Sequence, residues 1–402
     1  MAYCTNSHAG STLDLVEGAL AGVFADVRRR LELTGPMAVG LWLPATTVRE
    51  LVGGRLAEFR AFLRDHGFFA PSLNAFPWGP FHQPVVKEDV YEPAWWTDER
   101  VHYTVDCARV LAELLEDRPA DWPADVPGAI STVGGGNARL LTPARRETMS
   151  SNLGTIAREF AALRERTGHE IVLGLEPEPL TVLELTPDSV QFFTDLHSHA
   201  GAVEAAGGED ALRRHIGVCF DACHQAVLWE DVPASYRAFL SAGVRVSKVQ
   251  ISAAVEAPPT PDRLSALARY AEPRYLHQVY AERNGHNGHG GPPEGKRDLP
   301  DALEADGWRA DDTWRCHFHV PIFLHELGYG LLTTRNSLER LLGEIRHQAA
   351  LAGASAPLLE VETYTWAVLP HDLEPEYDPA RPGGPAGISA EMNFVREFWG
   401  RP

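Results

Sequence analysis

The sequence predicts an α/β chain folded as a closed parallel (β/α)8 barrel, the TIM barrel. Three observations carry that expectation. Apolar runs of strand length alternate with amphipathic stretches of helix length on a near-regular beat. Polar or charged residues gather where the apolar runs end, as they do at the C-terminal mouth of such a barrel. No glycine fingerprint for a dinucleotide follows any run, which counts against the alternative of an open doubly wound sheet.

Ala2 to Asn6 reads as strand one, followed by His8, and Ser11-Thr12-Leu13-Asp14 has the capping pattern of a helix running to about Leu33. Met37 to Leu43 is strand two, with a helix from Thr46 or Thr47 to His66. Phe68 to Phe76 is strand three. The long aromatic loop after it, with His82, Tyr91, Trp95 and Trp96, reads as a packed lid or an interaction surface, with the lid favoured, before a helix from about Asp98 to Leu115.

Val126 to Val133 is strand four. Gly134-Gly135-Gly136 lacks the Lys-Ser/Thr pair of a phosphate loop and reads as a plain turn, and Thr142-Pro143 opens the next helix. Glu170 to Leu175, ending in Glu176, is strand five, and Thr186-Pro187-Asp188 opens a helix broken near Gly207-Gly208. The run from Ile216 ends in Asp221, with His224 three residues on, and forms strand six; a helix follows from about Pro233 to Leu240. Strand seven is Val244 to Gln250, and its helix is expected from Thr260-Pro261 to about Tyr270.

The beat then breaks. Tyr275 to Tyr280 and Trp314 to Pro321 read as paired strands of an inserted β-hairpin before strand eight. Its polar Gly/His/Pro-rich tip, 283–300, is expected to be mobile, so that His286 and His289 there are not ligands. Asn336-Ser337-Leu338-Glu339 opens the last long helix, to about Leu351; Pro357 to Trp366 is strand eight, and 371–402 is a tail with a short helix near Ala390 to Trp399. The chain is expected to form one domain.

Composition narrows the function. With 55 acidic against 36 basic residues and a net charge of −19, the chain would repel a phosphate backbone, so nucleic acid is not the expected partner. No apolar run is long enough to span a bilayer, and the first residues lack a secretory pattern, so a cytoplasmic protein without membrane insertion is expected. The five cysteines lack zinc-finger spacing; Cys219 and Cys223 read as buried free thiols.

In a barrel the strand ends converge, so Glu176, Asp221, Gln250 and Glu362 would meet within reach of one divalent cation. Oxygen donors suit Mn2+ or Mg2+, and the imidazoles of His224, His317 and His319 move the preference toward Mn2+, with Co2+, Fe2+ and Zn2+ as alternatives. Lys248 shares an inward face with Gln250, as Glu360 does with Glu362; Lys248 either polarises a substrate oxygen or neutralises Glu360. Glu176 and Glu362 are the expected acid and base, moving a proton next to a carbonyl, or else they serve only as ligands.

The order Glu176, Asp221-x-x-His224, a strand-seven ligand, His317-x-His319 and Glu362 resembles the xylose-isomerase-like barrel superfamily. That group includes sugar isomerases, ketose 3-epimerases, inosose-processing enzymes and the endonuclease IV group. The resemblance implies a metal held by the first glutamate, the aspartate, the strand-seven residue and the last glutamate, with the glutamates as acid and base. Gln250 stands where the epimerases place histidine, and the arginine that follows it there has no counterpart.

A resemblance over nearly the full length, carried by Tyr3-Cys4-Thr5-Asn6-Ser7-His8, Asn74 to His82, Lys248 to Ser252, Tyr275 to Val279 and His317 to Pro321, is to the E proteins of the Ebo metabolite-traffic clusters. It implies a sugar- or cyclitol-like substrate in a natural-product pathway. Asn74, His8 and His82, in those segments, join His224, Lys248, His317 and His319 as expected substrate contacts. The leading expectation is thus a divalent-metal isomerase or epimerase of a small sugar or cyclitol. The alternatives are a metal-dependent phosphoester hydrolase and a metabolite carrier without turnover.

Overall fold

Eight parallel strands close into a barrel in the computed structural model, which describes residues 1–282, 294–370 and 384–400. They are Ala2–Cys4, Met37–Trp42, Phe68–Asn74, Gly128–Val133, Ile171–Glu176, Ile216–Asp221, Val246–Ile251 and Leu358–Val361, each paired in parallel with its neighbour and the last with the first. Apart from half-buried Val246 their residues are buried on both faces, which is why the runs are continuously apolar and not alternating. The strand-eight run is shorter than the sequence suggests: pairing stops at Val361, and Tyr364–Val368 turns into a 3-10 segment.

Helices cover the outside. The helix after strand four shows how local chemistry sets the limits: Thr142 accepts a hydrogen bond from the Arg145 amide, Pro143 occupies the first turn, and Gly168, at φ 76°, ends it at Thr167. Helix Asp98–Leu115 falls where expected. The stretch after strand five is broken at Gly207-Gly208 and also at His199, giving Thr186–Ser198, Ala200–Ala206 and Glu209–His215.

The expected helix after strand seven is misplaced. Arg263–Ala268 is a short helix that packs on the inserted segment, against helix Leu299–Glu304, and the barrel helix linking strands seven and eight is Arg335–Ala352. The cap signal at Thr260-Pro261 is local and carries no information about which layer the helix joins. The insertion is likewise larger than a hairpin. Val279–Ala281 and Trp314–Cys316 do pair antiparallel, but within a six-stranded sheet that also takes in Val255–Ala257, Glu294–Lys296, Glu326–Gly328 and Leu331–Thr333.

Part of the expected mobile tip, 294–300, is ordered as strand Glu294–Lys296 and the start of helix Leu299–Glu304; the rest, with His286 and His289, lies outside the described residues. In the tail, 371–383 also lie outside them, and the terminal helix spans Pro385–Gly400. The aromatic loop after strand three is packed inward, with Trp95 fully buried. None of the described helices is long and apolar enough to cross a membrane.

The barrel interior below the mouth is ionic. Lys248 Nζ and Glu360 Oε1 form a fully buried ion pair, and Ser72 Oγ donates to the other Glu360 oxygen. A Cβ at Gly40 would collide with that carboxylate, so the glycine on strand two makes the space for it.

Candidate metal centre

Asp221 is the last residue of strand six and the N-cap of helix Ala222–Val227. Its Oδ1 accepts from the His224 amide and the Ser252 hydroxyl, both at 2.9 Å, which leaves Oδ2 without a partner among the described residues. Glu176 ends strand five with Oε2 unpartnered. Glu362 lies one residue past strand eight, and its Oε1 accepts from Asn6 Nδ2 and Asn74 Nδ2, each at 2.8 Å. The three carboxylates each bring an oxygen within 4.8 Å of the others. Gln250, paired in register with Asp221, is fully buried with both amide atoms unpartnered.

Burial holds the Glu176 carboxyl well above the usual carboxylate range, and the facing Glu362 and Asp221 add repulsion. Glu362 is raised as well, by burial and then by Asp221. Lys248 is the nearby cation, and its charge is held by Glu360: burial opposes that charge, yet the ion pair keeps the ammonium raised. Of the two roles the sequence leaves open for Lys248, this geometry matches neutralisation of Glu360.

The imidazoles stand beside the carboxylates. His319 Nδ1 lies 2.8 Å from the Glu362 carbonyl, and a carbonyl only accepts, so Nδ1 donates and the unpartnered Nε2 presents its lone pair, 3.9 Å from Asp221 Oδ2. His224 is oriented the same way by the Pro177 carbonyl at 2.9 Å. His317 Nδ1 lies 2.6 Å from Gln278 Oε1. Burial lowers all three, His319 to about 4 and His317 well below its ordinary value with help from His224 and His319, so they are neutral at neutral pH and fit to be ligands.

Polar atoms buried without partners are rare in folded proteins. Here Glu176 Oε2, Asp221 Oδ2, Gln250 Oε1 and His319 Nε2 are all ligand-type atoms gathered at one end of the barrel. This donor set fits a divalent cation with oxygen and nitrogen ligands.

A cleft next to the centre is lined by Glu176, His224, His317, Glu362 and Asn74 among others. Asp221, Gln250 and His319 are fully buried and do not line it. His8, His82 and Lys248, expected as substrate contacts, are not among its lining residues. His8 bonds to the Ser7 hydroxyl and His82 to the Tyr275 hydroxyl, and burial lowers both to about 4.

Three lining residues escape the sequence reading. Asn6 ends the strand-one run, and the rule that selected Glu176 and Asp221 would have found it. Glu178, raised to about 8 by burial, sits 3.3 Å from the Tyr91 hydroxyl, and Tyr364 reaches His317 at 3.4 Å. Neither stands at the end of an apolar run, so no sequence signal marks them.

No family model matches the chain, and no curated protein matches it. Among solved structures it is similar to a xylose isomerase-like TIM barrel protein from Mycobacterium smegmatis in complex with magnesium, at 14% identity over 99% of this chain and 95% of that chain, with a TM-score of 0.48. It is also similar to the IOLI protein with a bound zinc atom, at 11% identity over 100% of this chain and 99% of that chain, with a TM-score of 0.47.

Proposed function

We propose that the protein is a divalent-metal-dependent isomerase or epimerase acting on a small sugar- or cyclitol-like molecule. The single observation behind the reading is the cup of three buried carboxylates, Glu176, Asp221 and Glu362, within 4.8 Å of one another at the mouth of the barrel, with Glu176 Oε2 and Asp221 Oδ2 unpartnered among the described residues. Bound there, a divalent cation, with Mn2+ the leading choice, would polarise a carbonyl and its adjoining hydroxyl and acidify the carbon-bound proton between them.

The rest of the chemistry belongs to the chain. Glu176, with Oε2 unpartnered among the described residues, takes that proton. Glu362, turned by Asn6 and Asn74, returns a proton to the opposite face or to the next carbon. Epimerisation and ketose-aldose exchange differ in that last choice and in the hydroxyl proton, which in the second passes from one substrate oxygen to the other.

Incubating Mn2+-loaded protein with ketoses and cyclitol ketones in D2O tests this. Deuterium is expected at the carbon next to the carbonyl, and the rate is expected to fall at least about a hundredfold in Glu176→Gln and in Glu362→Gln. Undiminished exchange in both variants would show the pair to be wrongly assigned.

A hydrolase reading draws on one further observation, the imidazole group of His224, His317 and His319 next to Asp221, which offers room for more than one ion. Two or three Zn2+ per chain, with phosphoester cleavage and no deuterium uptake, would favour it.

A further inference from the structure

The cleft above the carboxylates has two chemically distinct parts. Its floor is polar, with Asn6, Asn74, Glu176 and Glu362. The rest of its lining is largely apolar, with Phe81, Val86, Val90, Tyr275, Leu276 and Tyr364, joined by Lys87, Glu178, His224 and His317. Phe81, Tyr275 and Tyr364 form a triangle with ring centroids 4.9, 5.3 and 5.0 Å apart.

The hydroxyls of the two tyrosines each already have a partner. The Tyr275 hydroxyl meets His82 Nδ1 at 3.2 Å, and the Tyr364 hydroxyl meets His317 Nε2 at 3.4 Å. The cation at this wall, Lys87, is bound to Asp298 at 2.6 Å and to the Glu272 carbonyl. A substituent lying along those rings thus meets hydrocarbon: the cation nearby is already paired, and the remaining polar lining groups, Glu178, His224 and His317, cluster with one another. A buried hydroxyl without a partner is disfavoured, while buried methylenes are favoured.

Building on the proposed function, we infer that the substrate is amphiphilic: a hydroxy-carbonyl or polyol head at the carboxylates, carrying an alkyl or aryl substituent that lies along the aromatic wall. Each methylene buried there tightens binding roughly fourfold.

Calorimetry on Mn2+-loaded protein with dihydroxyacetone, fructose and 1-hydroxyoctan-2-one tests the inference. The octanone is expected to bind more than tenfold tighter than either polar ketone. Phe81→Asn, and independently the milder Val90→Asn at a half-buried position, are expected to reduce that preference at least fivefold without changing Mn2+ affinity. Equal affinities, tighter binding of fructose through stacking on the rings, or binding of no ketone would overturn it. A preference that survives chelation of the metal would support the apolar wall while removing the metal-dependent reading on which the head-group assignment rests.

Discussion

At the scale of single residues, the centre depends on amide groups that touch no substrate atom by necessity. Asn6, in the 3-10 turn Thr5–Ser7 after strand one, and Asn74, at the end of strand three, both donate to Glu362 Oε1 and so fix the carboxylate. Partners that orient a ligand in this way usually set metal affinity by about 10- to 100-fold. Asn74→Ala is therefore expected to weaken Mn2+ binding by about that factor, measured by titration, with an unchanged circular dichroism spectrum. An unaltered affinity would mean that Glu362 is not held by these amides when metal is bound. Asp221 works on two sides at once. Oδ1 caps a helix and Oδ2, 3.9 Å from His319 Nε2, has no partner among the described residues, so a strand-end aspartate that local sequence explains as a cap also belongs to the site.

At the scale of elements, strands seven and eight are joined by more than their backbone ladder. Lys248, in register with Leu358, reaches diagonally across it to Glu360, which is in register with Gln250, and both ends of the ion pair are completely buried. Removing one partner of such a pair leaves a buried charge and costs about 3–5 kcal/mol, whereas replacing both with apolar residues is often neutral. Lys248→Met is expected to lower stability by about that amount in denaturant unfolding, and Lys248→Met with Glu360→Leu to recover most of it. A single variant as stable as the parent would show that the pair contributes specificity alone.

The same scale shows what could be read beforehand. The barrel strands were legible because burial on both faces leaves continuous apolar runs with a polar residue at the end, as in Ile216–Asp221. The insertion was legible only in its pairing of Val279–Ala281 with Trp314–Cys316, since three-residue antiparallel strands leave no periodicity to detect. His317 and His319 could be named as donors, but Gln278, which meets His317 from the same insertion, could not, because a single glutamine within a short strand-like run carries no signal of its own.

At the scale of the whole molecule, distant segments are drawn together by buried carboxyls. Glu391 on the terminal helix accepts from the Tyr3 hydroxyl at 2.7 Å and the Thr363 hydroxyl at 2.6 Å, tying the tail to strand one and to the end of strand eight. Burial raises it to about 7 and Glu178 to about 8, and Glu176 and Glu362 are raised too. A carboxyl raised in the folded state stabilises fully below its unfolded value near 4.5 and loses that contribution as pH rises through the folded value. The lowered histidines, His8, His82 and His319 at about 4, act the other way, but only below about 6.5. The buried Met1 amino group, lowered to about 6, offsets one carboxyl between about 6 and 8.

The metal-free protein is therefore expected to lose stability from pH 6.5 to 8, by up to about 1.4 kcal/mol per pH unit for each uncompensated carboxyl. Urea unfolding across that range checks it, with Glu178→Gln giving a shallower slope; stability that rises with pH would contradict the assignment of neutral carboxyls.

These scales meet at the carboxylate cup, where burial, repulsion and unpartnered oxygens all ask for a cation. The direct test is the metal content of protein stripped with chelator, re-equilibrated with Mn2+ and freed of excess ion. One Mn2+ per chain is expected in the parent and almost none in Glu176→Gln/Asp221→Asn, whereas a parent that retains no divalent ion, or a double variant that retains it undiminished, would contradict the account.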